Sequence, residues 1–289
     1  MFILFSCGEK RTLEFHNQGI LEGIDLDFNK SKDEPKFSDS DEFAVIIYND
    51  KGLIAKEMVL KDFLSKTEKE IELEAGIYNI LAFSNKTENV ELTNIYNCNT
   101  PSIISSNDIE ALNSKQPSRI YCSFLEQIVV KKDCTTKKNF KLERISKNIN
   151  IFVHFTDVNS MYQCSATIYG FASGIDLNNG DLQTSKTINH KAILSFAEET
   201  KSEYQAGIMK GSIHHLGLKE NTPKKLYLDI YFKDSQKHYF IERDFKEIDN
   251  VDNTKDLKID IYINNSKDIT FITKIEVWEE IDLGDIEAK

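Results

Sequence analysis

The sequence predicts an all-β protein built as two tandem β-sandwich domains. Three observations carry this. Apolar and polar residues alternate strictly in several segments, most clearly Leu226, Leu228, Ile230 and Phe232 against Lys225, Asp229 and Lys233; a period of two marks a strand with one wet face. No segment sustains a helical apolar period over about twelve residues. A chain of 289 residues that is 40% hydrophobic is long for one sandwich and sufficient for two cores. Dividing the strands roughly in half puts a boundary near residues 144–148, so the expected units are 9–145 and 146–289.

In chain order, Ile20, Ile24, Leu26 and Phe28 alternate with acidic residues as a first strand, and 29–41 has loop composition. Phe43 to Tyr48 is continuously apolar, as in a strand buried on both faces. Asn49-Asp50-Lys51-Gly52 supplies a turn, Ile54 to Leu60 the returning strand, and Phe63-Leu64 a helical turn. Ile71 and Leu73 alternate with glutamates. Ala75-Gly76 makes a corner, and Tyr78, Ile80 and Ala82 resume the pattern. Residues 85–118 read as long loops with short strands and one helical turn at Asp108–Leu112. Further strands are expected at Ile120–Phe124, Ile128–Val130, Phe140–Leu142, Ile149–Phe155 and Ala166–Gly170. Weaker ones are expected at Ile193–Phe196, Ile208 and Ile213. Leu226–Phe232 then forms a hairpin with Lys237–Arg243, and Ile259–Ile263 and Phe271–Val277 close the chain.

The residues offer no catalytic constellation. GxSxG, Walker, HExxH and kinase motifs are missing, so no enzymatic activity and no cofactor is expected. His214 and His215 are adjacent and point to opposite faces of a strand, which prevents them from sharing a metal. No Cys/His spacing resembles a zinc site, so no metal is expected. Asp176-Leu177-Asn178-Asn179-Gly180-Asp181 superficially resembles a calcium loop, but its spacing fails and Asn-Gly signals a hairpin turn. A net charge of −11 argues against nucleic acid. The acidic end, Glu276 to Glu287, reads as a solvated strand edge and tail.

The first eight residues carry the one residue-level expectation. Met1-Phe2-Ile3-Leu4-Phe5-Ser6-Cys7-Gly8 is a short apolar run ending in a cysteine, and Cys7 is a candidate lipid-attachment site. Ser6 suits the position before the cut; Phe5 is bulkier than the usual residue there. A basic n-region is missing, so 1–8 reads as the remnant of a lipoprotein signal, with an ordinary first strand as the alternative. No later run approaches the ~20 apolar residues that span a bilayer. Cys98, Cys122, Cys134 and Cys164 are then left either as buried thiols, the preferred reading, or as bridges. Open sheet edges could accept another chain's strand. Tyr227, Tyr231 and Tyr239 are candidates for an aromatic platform.

Cys7-Gly8-Glu9-Lys10-Arg11, the strand and turn Phe43–Gly52, and above all the corner Leu73-Glu74-Ala75-Gly76-Ile77-Tyr78 with its apolar strand to Phe83 resemble the fimbrillin-associated anchor-subunit family of Bacteroidales and its sister outer-membrane lipoproteins. Ile168–Gly174, Gly211–Gly217 and Leu226–Phe232 fit the same group. The resemblance implies transthyretin-like, broadly immunoglobulin-like sandwiches, export, and a lipid on Cys7. It also implies a place at the outer membrane, facing the cell surface or the periplasm. The expected role is a non-enzymatic assembly, anchor or accessory subunit of fimbria-like structures, with other protein subunits as partners. An alternative of another class is a glycan-binding surface lipoprotein of a polysaccharide-uptake system.

Overall fold

The computed structural model describes residues 18–21, 24–25, 42–60, 71–84, 89–105, 116–134, 136–139, 142–156, 161–197, 207–220, 222–233, 238–244, 256–264 and 270–277. Among them there are only strands, turns and coil. The first half contains β1 (Gln18–Leu21), β2 (Ile24–Asp25), β3 (Phe43–Tyr48), β4 (Ile54–Leu60), β5 (Ile71–Glu74), β6 (Gly76–Ser84), β7 (Val90–Thr93), β8 (Ser102–Ser105), β9 (Tyr121–Cys122), β10 (Glu126–Val130), β11 (Lys138–Asn139) and β12 (Glu143–Arg144). The second half contains β13 (Lys147–Phe155), β14 (Met161–Asp176), β15 (Leu182–Phe196), β16 (Gly207–His215), β17 (Lys225–Phe232), β18 (His238–Asp244), β19 (Leu257–Asn264) and β20 (Thr270–Val277). The all-β sandwich class is therefore as expected.

A six-stranded sheet in the order β12-β9-β6-β3-β4, with β10 also on β6, organises the first half. Its central strand β3 is buried at all six positions. Phe43, Val45 and Ile47 face one core with Ile80, Ala82, Ile128 and Val130, which Ile71 and Leu73 of β5 cover. Ala44, Ile46 and Tyr48 face a second core on the opposite side. A strand with two dry faces cannot alternate, which is why its sequence reads as a continuous apolar run. Full burial of each such side chain contributes about 1.5–3 kcal/mol.

The second half is one sheet folded back on itself. One layer runs β18-β17-β14-β15 and the other β16-β13-β19-β20, continuous where Ser195 and Phe196 of β15 pair with Lys210 and Met209 of β16. Between the layers lie Ile149, Ile151 and Val153, Cys164, Ala166 and Ile168, Leu226, Leu228 and Ile230, and Ile259, Ile261 and Ile263. Gly170, at φ 102°, sits in a bulge of β14. The extra residue shifts the alternation, so Tyr169 faces out and Phe171 faces in.

Both halves contribute to the second core. Ile103 of β8, Ile175 and Leu177 at the end of β14, and Leu216 pack with Ile46, Leu81 and Phe83. β8 pairs with β14, matching Ile104 to Gly174, so a strand from before residue 145 extends the later sheet. The approach is close: a Cβ on Gly174 would lie 2.5 Å from the Ile103 carbonyl oxygen. Leu177 N–H donates to Pro101 O (2.9 Å) and its carbonyl accepts from Leu125 N–H (3.0 Å). Arg144 and Asp256 form an ion pair at 2.8 Å, and Asp256 also accepts from Asn148 N–H at 2.9 Å.

Several expected elements change length. Ile120–Phe124 shortens to β9, because Phe124 takes φ 49° and leaves the ladder. The weak signal at Ile193–Phe196 is the end of a 15-residue strand, and Ile208 and Ile213 belong to one 9-residue strand. Their polar outer faces and the buried His190 obscure the alternation. The Asn179-Gly180 turn joins β14 to β15, with Gly180 at φ 82°. The helical turns at Phe63-Leu64 and Asp108–Leu112, Phe140, Asp234–Gln236 and the acidic tail beyond Val277 lie outside the described residues.

Candidate functional site

Cys7 lies outside the described residues. Of the other candidates, the corner after Leu73 is a built feature. Tyr78 O–H donates to Glu74 O at 2.9 Å, bridging the corner across four residues. Its ring lies over Gly76, 3.4 Å from where a Cβ would stand. The corner and the Asn49–Lys51 turn border a recess of about 460 Å³ that includes Asp50, Glu72 and Glu74.

The three platform tyrosines do not share a face. Tyr227 and Tyr231 project outward from β17, where Thr167 and Gln163 of β14 stand opposite them. Tyr239 is opposite Ile230, on the core side of β18, and meets Phe232 edge-on at 5.5 Å. The outer face instead includes Tyr169, Phe240 and His238, which the sequence reading did not single out. The register of β17 with β18, Tyr231 opposite His238 and Asp229 opposite Phe240, places His238 and Phe240 there. Tyr169 follows from the alternation with the buried Ala166 and Ile168. Among the described residues β18 pairs only with β17, β4 only with β3 and β20 only with β19, so each presents an open edge.

The titratable groups serve the fold. His190 and His215 flank Phe171, with ring centroids at 4.9 and 4.7 Å. Burial, reinforced by neighbouring histidines, pushes both imidazoles down to about 3, so they are neutral. His154 and Lys258 each lie 2.8 Å from the Asp260 carboxylate. Burial opposes ionisation of Asp260, but the hydrogen bonds from Lys258 and His154 prevail and hold it below the usual carboxylate range. Burial pushes Cys122 and Cys164 up to about 12, leaving unreactive thiols. Cys98, Cys122, Cys134 and Cys164 are all unbridged, and Cys134 is exposed. Among the described residues no three His, Cys, Asp or Glu side chains are grouped to hold a metal ion.

The family of fimbrillin-A associated anchor proteins Mfa1 and Mfa2 matches residues 22–283. The chain belongs to this family. The fold agrees with that of the fimbrial anchor protein Mfa2 from Porphyromonas gingivalis (TM-score 0.56, 12% identity, 90% of this chain and 96% of that one). It also agrees with two proteins described as adhesins. One is from Bacteroides thetaiotaomicron (TM-score 0.64, 11% identity, 89% and 97% covered). The other is from Bacteroides ovatus (TM-score 0.57, 15% identity, 86% and 89% covered). No protein of curated function matches the sequence. Membership gives the chain a fimbrial or cell-surface accessory role in the cell envelope, in a family of structural fimbrial anchor proteins.

Proposed function

We propose that the protein is an exported, lipid-anchored anchor or accessory subunit of a fimbria-like structure, without catalytic activity. Cys7 carries the lipid and holds the body at the outer membrane. The units 9–145 and 146–289 form that body and contact other protein subunits. The observation that carries this reading is the family match over 22–283, which starts beyond Cys7. The edges of β4, β18 and β20, open among the described residues, support protein partners, because an edge of that kind can accept a further strand.

The test uses the full chain in its own cells. Wild-type protein is expected to take up labelled palmitate and sediment with membranes, while Cys7→Ala loses the label and becomes soluble. A Cys7→Ala protein that stays with the membrane as before would remove the lipid anchor. Cross-linking of the wild type is expected to capture fimbrial subunits, and recovery of none would remove the assembly role.

A further inference from the structure

The outer face of the layer β15-β14-β17-β18 carries a row of rings that the core does not require. Leu226, Leu228 and Ile230 of β17 fill the sandwich, so Tyr227, Asp229 and Tyr231 face away from it. Across from them, β14 brings Tyr169, Thr167, Ser165 and Gln163, and β18 brings Glu242, Phe240 and His238. Phe240 is 56% exposed, Tyr231 40% and Tyr169 39%. Isolated exposed apolar side chains are ordinary, but a contiguous set marks an interaction surface.

The rings form two groups. Tyr227 contacts Tyr169 at 5.0 Å and Phe240 at 5.1 Å. Four residues further along β17, roughly 13 Å away, Tyr231 stacks on His238 at 4.4 Å and 14°. Asp229 stands between them, 3.0 Å from His238 Nε2 and 3.9 Å from Lys191 Nζ. At the first group, Lys225 pairs with Glu242, which also hydrogen-bonds Tyr227. Asp244 stands opposite Lys225 as well, so two lysines face three carboxylates, and the face presents paired charges with spare donors and acceptors.

We propose that this face binds a neutral oligosaccharide, with sugar rings stacked on Tyr227–Phe240 and on Tyr231 and hydroxyls hydrogen-bonded at Asp229 and Lys191. A pyranose offers an apolar C–H face that suits the negative face of an aromatic ring, a rim of hydroxyls, and no charge. Other ligand classes fit less well. Nucleic acid needs excess positive charge. The buried centre of a protein interface is depleted in charge, whereas here charged pairs lie between the rings and Ile193 is the one strongly exposed aliphatic residue on the face. This function goes beyond the anchoring role and does not depend on it.

The experiment is native affinity electrophoresis of the full chain through gels containing starch, xylan, galactomannan or mixed-linkage glucan, with polygalacturonate as the anionic comparison. At least one neutral polysaccharide is expected to retard the protein. Tyr231→Ala and Phe240→Ala, singly and together, are expected to weaken that retention by about tenfold or more, with melting temperature unchanged. Tyr231→Phe and Phe240→Tyr keep the rings and are expected to keep binding. Tyr96→Ala, at a residue 74% exposed elsewhere, is expected to change nothing. The proposal is overturned if no neutral polysaccharide retards the protein, if polygalacturonate alone does, or if retention survives loss of both rings. It is equally overturned if the ring variants abolish self-association in size-exclusion chromatography and leave polysaccharide retention intact, since the face would then bind protein. None of these results bears on Cys7 or on fimbrial subunits.

Discussion

At the scale of single residues, the two buried histidines set the pH behaviour. Each imidazole titrates near 3 in the fold and near 6.5 in an unfolded chain. Unfolding therefore takes up protons below pH 6.5, and stability falls as the pH drops from there toward 3. Between pH 7.5 and 5.5 the loss is on the order of 1 kcal/mol per histidine. Urea midpoints measured across that range should decline, and His190→Gln with His215→Gln should flatten the slope whatever they do to overall stability. Two glycines make a second, steric contrast. A methyl on Gly174 collides with the Ile103 carbonyl, so Gly174→Ala should cost about 2 kcal/mol in urea unfolding. At Gly76 a Cβ would only touch the Tyr78 ring at 3.4 Å, so Gly76→Ala should be nearly neutral by the same measurement.

At the scale of strands, legibility follows how many faces are dry. β3 was visible as an unbroken apolar run, and β13, β17 and β19 as clean alternation, because one face of each meets a core and the other meets water. β15 was mostly invisible. Its outer face carries Asn189 and Lys191 and its inner face includes the buried His190, so polarity does not track burial. The aromatic face was half legible: Tyr227, Tyr231 and Tyr169 follow from period two, whereas Phe171 needs the bulge and Phe240 the strand register. Burial also ranks the strands energetically. Ile46→Ala in β3 should cost about 2–5 kcal/mol in urea unfolding. Val59→Ala in edge strand β4, where the side chain is 38% exposed, should cost under about 1 kcal/mol.

At the scale of the whole molecule, the shared core couples the halves. Ile175, Leu177 and Leu216 are parted from Ile46, Leu81, Phe83 and Ile103 if the chain is cut at residue 145. Calorimetry of the intact chain should therefore show one cooperative transition. Residues 146–289 expressed alone should melt lower and bind a hydrophobic dye, and two independent transitions in the intact protein would contradict the coupling. The docking of β8 on β14 has a further consequence, which concerns time. Ile104 pairs with Gly174, 70 residues later (174 − 104). A chain delivered from its N-terminus can pair Ser102–Ser105 with β7 at once, but must hold the other edge of that strand open until β14 arrives. Closing so long a loop is slow and leaves one edge of the β7–β8 pair exposed during biogenesis. The seam that unites the finished body is the interval in which the nascent chain most needs a chaperone.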